Sequence, residues 1–130
     1  VTPAGPLTRL AAFVTVGLHL SAGLWLMFRP EVAFDFLRAT REPNPIVTPL
    51  IGAGVLIAGL VGFAIISKAP RWSHLVGLGQ LAGVIALAVT WFITDERLYG
   101  MADVLVAFGA LLVWLARRLD ARAAVTSAGP

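Results

Sequence analysis

The chain of 130 residues has no cysteine, a single tyrosine and two histidines. The missing thiols exclude disulfides, thiolate-held iron–sulfur clusters, thiol redox chemistry and cysteine-type zinc sites together. Charge is scarce as well: 13% of residues are Asp, Glu, Lys or Arg, against the roughly 25% that a soluble domain carries. With 58% of residues hydrophobic and a mean hydropathy of +0.87, a water-soluble globule is excluded. The pattern also lacks a phosphate loop, a paired general acid and base, a metal-ligand cluster and a nucleophile beside a base. The length predicts one transmembrane domain, 1–130, because four crossings of about 20 residues each use most of it.

Four apolar runs are present, at 8–28, 46–67, 72–94 and 98–118. Each is long enough to cross about 30 Å of hydrocarbon at 1.5 Å per helical residue. The first run carries Ser21-Ala22-Gly23, a small-residue stretch of the kind signal peptidases cut, but Leu24-Trp25-Leu26-Met27-Phe28 continues the apolar run past it. A retained anchor is expected. The residues before Leu7 are rich in Pro and Gly and are expected to be disordered, and a polar tail runs from Asp120 to Pro130. Arg29-Pro30 must end the first helix, since proline pushes its predecessor out of the helical region. The segment 30–40 mixes Val32, Phe34, Phe36 and Leu37 with Glu31, Asp35 and Arg38. It is too short to span and is expected to lie at the membrane interface. The fold class is therefore all-α: an integral membrane four-helix bundle with a short interfacial segment between helices 1 and 2.

Lys and Arg set the orientation. One side collects Arg9, Lys68, Arg71, Arg117, Arg118 and Arg122, and the other Arg29, Arg38, Arg41 and Arg97. Both termini are expected in the cytoplasm, in a bacterial inner membrane. Trp25, Trp91 and Tyr99 near one set of span ends, and Trp72 and Trp114 near the other, match an aromatic belt.

Four features stand out from apolar filler. Gly79 and Gly83 form a GxxxG, and Gly54, Ala58 and Gly62 a strip at spacing four; both suit close helix packing, within the bundle or against another membrane subunit. His19 and Gln80 lie roughly 16 Å and 12 Å from the same membrane face by helix rise. They can hydrogen-bond to one another, while His19 alternatively suits a haem or chlorophyll ligand or a polar contact to a quinone or lipid. Asp103 is the one acid inside a span; it reaches water, caps a helix, pairs with Arg29 or Arg97, or handles protons or cations. The loop 29–45, with Phe34, Phe36, Arg38 and Arg41, is an interfacial lid or a surface for a partner or lipid phosphates.

The Arg29-Pro30-Glu31 corner, the interfacial segment after it, the glycine-rich second span and Asp103 near the start of the fourth resemble the small four-helix bacterial membrane proteins grouped as DoxX-like. The resemblance is one of layout over nearly the whole chain. Some of those proteins are implied to be subunits of quinone-linked oxidoreductases. The expectation is a non-enzymatic accessory subunit of an electron-transfer or light-harvesting complex, with membrane lipids and other membrane subunits as partners and no nucleic acid. No resident cofactor is expected beyond a bound lipid, quinone or pigment. The alternative is a small membrane protein with a lipid or quinone pocket lined by His19, Gln80 and Asp103.

Overall fold

The computed structural model describes residues 3–36 and 41–129. Five helices form: α1 (Pro6–Phe28), α2 (Pro30–Phe36), α3 (Val47–Lys68), α4 (Leu75–Thr94) and α5 (Arg97–Ser127). Local chemistry sets their ends. Pro6 and Pro30 occupy first-turn positions, where a missing N–H costs no hydrogen bond. Arg29, at φ −137° and ψ 58°, breaks the chain between α1 and α2 ahead of Pro30. The Asn44 side-chain oxygen accepts from the N–H groups of Ile46 and Val47, both at 2.9 Å, and so starts α3. Pro70–Trp72 forms a 3-10 turn, so α4 begins at Leu75 rather than at 72. Asp95, left-handed at φ 52°, closes α4.

α1, α3, α4 and α5 are each long and apolar enough to cross a membrane, which makes this a multi-pass membrane protein. Large apolar side chains face outward along them, Phe92 at 91% exposure and Ile93 at 74% among them. Lipid is the solvent that tolerates such a surface. α1 packs along α3, α4 packs along α5, and α1 against α5 joins the two pairs. α3 and α4 follow each other in the chain yet barely touch. The bundle is thus closed on three sides and open on the fourth.

The two ends differ. At the loop end, Phe34 of α2 is buried with Leu98 and Tyr99 over Leu26, Ile51 and Leu87, so α2 lies as a lid across the helix ends. Tyr99 is a core residue there, not a member of a lipid-facing belt. Phe36 instead is exposed, its ring edge-on to Trp25 at 6.2 Å. At the terminal end, Ala4 is buried and donates its N–H to the Arg71 carbonyl at 2.8 Å, so the chain before Leu7 is tethered rather than disordered from Ala4 on. The expected polar tail is also helix, continuing to Ser127, because Ala121, Arg122, Ala123 and Ala124 all favour helix. Asp120 explains why that helix is held in place. Its carboxylate accepts from the Leu7 N–H at 3.2 Å, the Thr8 N–H at 2.8 Å and the Thr8 hydroxyl at 2.7 Å. Gly5, the N-cap of α1, supplies no side-chain cap, and α5 supplies one in its stead.

Candidate site in the cleft between α3 and α4

The glycines of α3 fall on two faces. At 100° per residue, Gly52 and Gly59 share a direction within about 20°, whereas Gly54 points about 160° from Gly52. The first pair meets α1. A Cβ on Gly52 would stand 2.8 Å from the Met27 nitrogen and one on Gly59 3.1 Å from the Leu20 nitrogen, while across the seam one on Gly23 would stand 2.7 Å from the Leu56 nitrogen. Gly62 faces Val16, 2.7 Å from its Cγ2. Only glycine permits backbones that close. Gly54 and Gly79, by contrast, have nothing within 4 Å of an added Cβ, and Gly83 meets only Val106 at an ordinary 3.4 Å. Gly54, the exposed Ala58 and Gly79 therefore do not pack helix on helix, while Gly83 touches α5 through Val106. They border a cleft of about 480 Å³ between α3 and α4, and of the expected packing strips only Gly62 sits at a tight contact.

His19 and Gln80 reach this cleft from α1 and α4. His19 Nδ1 lies 3.1 Å from the Thr15 carbonyl oxygen, which can only accept, so Nδ1 carries the proton. Nε2 is then the acceptor, and the Gln80 amide nitrogen donates to it at 3.1 Å. The bond links α1 to α4 in a stretch where a polar group without a partner is costly. Thr15 returns its own hydroxyl to the Ala11 carbonyl at 2.8 Å. Gln80 is buried and its Oε1 has no partner. That oxygen faces Gly109 of α5, where an added Cβ would approach to 3.4 Å.

This arrangement does not suit His19 to axial ligation of a haem or chlorophyll, because the lone pair such a metal needs is already committed to Gln80. It suits a fixed, uncharged polar spot inside an apolar cleft. The Gln80 amide has a second N–H, with no acceptor for it among the described residues.

Asp103 does not join them. It lies apart from the cleft lining, partly buried, with Oδ1 unpartnered, and neither Arg29 nor Arg97 pairs with it. Arg29 binds Glu31 at 2.7 Å. Arg41 binds Glu96 at 3.7 Å, tying the start of the α3 approach to the α4–α5 corner, and Arg38 lies outside the described residues. Among the described residues no three carboxylate or imidazole groups converge on a metal position.

Sequence reasoning gave no role to Asp120, which stands beyond the fourth apolar run, or to His74, at the start of the third. Three hydrogen bonds from Thr8 and Leu7, together with nearby Arg9, outweigh the desolvation that raises the Asp120 carboxyl and hold it below the ordinary aspartate range. His74, in the turn before α4, is buried against Trp72 at 5.7 Å. Desolvation first, and the charge of Arg117 second, push its imidazole below the ordinary histidine value. Comparison with protein-family models, with curated proteins and with solved structures gives no match to this chain.

Proposed function

We propose that this protein is a non-enzymatic membrane protein of the bacterial inner membrane, with its termini in the cytoplasm, that holds the apolar chain of a lipid or quinone between α3 and α4. The observation that carries this is the cleft itself. From Ile51 to Ile65 of α3 it runs about 21 Å at 1.5 Å per residue. Its volume is about 480 Å³, and glycines and apolar side chains make up most of its lining. The space is elongated, apolar and wide enough for a hydrocarbon chain. Its glycine edges leave the walls smooth, and the Gln80 amide offers a carbonyl or hydroxyl of the ligand a single donor midway along. His19 serves to position Gln80. The six basic residues at the terminal end support the cytoplasmic placing of that end.

The role of accessory subunit in an electron-transfer or light-harvesting assembly, as the DoxX-like layout implies, is compatible with this and has its own support. The Gly79 edge is unused within the chain, and a partner helix can lie along its rim outside the cleft. Purification in mild detergent followed by mass spectrometry separates the two. A retained quinone or lipid on the isolated chain, lost in Gly79→Phe with melting temperature unchanged, supports the cleft ligand. Stoichiometric recovery of larger membrane proteins, and no retained small molecule, replaces it with the subunit role.

A further inference from the structure

α5 has 31 residues, about 46 Å at 1.5 Å per residue, against about 30 Å of hydrocarbon. Its start is fixed at the loop end, where Leu98 and Tyr99 are buried, so the surplus emerges at the other end. The Asp120 cap sets the level: at Asp120, α5 stands beside Leu7 and Thr8, the first turn of α1 and the beginning of its apolar run. Arg117 and Arg118 then sit about 3 to 4.5 Å on the membrane side of that level, Trp114 about 9 Å, and Arg122 about 3 Å beyond it. All four are exposed, while Val113, Ala116 and Asp120 turn into the bundle. The Arg118 guanidinium lies over the Trp114 ring at 4.6 Å, and the four side chains border one shallow concavity along α5.

Among the described residues no carboxylate pairs with Arg117, Arg118 or Arg122. The terminal end has six basic residues and one acid, Asp120, and that acid is engaged by Thr8 and Leu7. We propose that this face of α5 is a binding surface for anionic phospholipid headgroups of the adjoining leaflet. The guanidinium forks grip the phosphate, and Trp114 lies along the upper acyl chain. Charge complementarity selects an anion. The depth selects a lipid, since Arg117, Arg118 and Trp114 stand on the membrane side of the capped turn, where a soluble polyanion does not reach.

The test uses the full chain in nanodiscs of mixed phosphatidylglycerol and phosphatidylcholine, with mass spectrometry of the lipids that stay bound after gentle extraction. Several-fold enrichment of phosphatidylglycerol is expected. It falls to the bulk ratio in the triple variant Arg117→Gln, Arg118→Gln, Arg122→Gln and persists in the loop-end variant Arg29→Gln, Arg97→Gln. Enrichment that survives the triple variant, or that the loop-end variant removes equally, overturns the proposal. So does an equal thermal shift with inorganic phosphate alone, or displacement of phosphatidylglycerol by an RNA oligonucleotide. A second readout needs no arginine substitution. Phosphatidylglycerol with brominated acyl chains should quench tryptophan emission more than the brominated choline lipid does, and Trp114→Phe should abolish that difference; an unchanged difference counts against the site.

Discussion

The α1–α3 seam and the α3–α4 gap are built from the same residue types and do opposite things. Both are edged by glycine, and both run along the same helix. At the seam, Gly23 and Gly52 bring backbones so close that a methyl group has nowhere to go. At the gap, Gly54 and Gly79 face empty space. A glycine in a membrane helix therefore signals contact only when the neighbour's backbone is there to meet it.

The sharpest break of this contrast is Gly52→Ala. Elsewhere in a helix alanine is favoured over glycine by about 1 kcal/mol. Here the added Cβ meets Met27 backbone, and overpacking of this kind costs about 1 to 3 kcal/mol. Thermal unfolding in detergent should show a clear loss, and an unchanged transition would mean that α1 and α3 separate freely. Second in size is the contact that closes the other side of the bundle. Asp120→Ala removes the cap of α1, worth about 0.5 to 2 kcal/mol, and leaves the Leu7 and Thr8 donors without their acceptor.

The same contact has a pH signature. Because the folded carboxyl of Asp120 is held below its ordinary value of 3.8, its stabilisation is complete above that value and is lost as pH falls through the lower folded one. The gap between wild type and Asp120→Ala should thus be constant near neutrality and shrink only below about pH 4. His74 acts earlier. Its folded imidazole is lowered from 6.5, so its contribution is present above that pH and declines on acidification in both proteins. His74→Gln should remove the earlier decline; a decline that persists in that variant places its origin elsewhere. The smallest effect sharpens the contrast from the other side: Gly79→Ala and Gly54→Ala should be neutral or stabilising by up to about 1 kcal/mol. A loss comparable to that of Gly52→Ala would show that the gap closes on itself.

The elements themselves were legible because their causes are local. Apolar runs, the Arg29-Pro30 break and Pro70 of the α3–α4 turn act on the residues beside them. The His19–Gln80 pairing was also within reach, since helix rise alone puts the two at similar depth. The glycine strips were misleading. Spacing by four turns a strip by about 40° per step, so Gly54 and Gly62 belong to different surroundings, and no one-dimensional pattern says which helix stands opposite. Asp103 looked like a cleft residue for the same reason: depth is readable from the chain, azimuth is not.

What the sequence determined alone is therefore the number of apolar spans and their approximate positions, the separation of basic from acidic ends, and the exclusion of thiol and soluble-domain chemistry. Helix formation and insertion depend on contiguous residues and on the solvent they meet. The tertiary structure decided that α3 and α4 diverge, that Gly23 and Gly52 carry the seam, and that Asp120 caps a helix 112 residues away. These depend on which faces meet, and a helix with apolar residues all round gives its partners no stripe to choose.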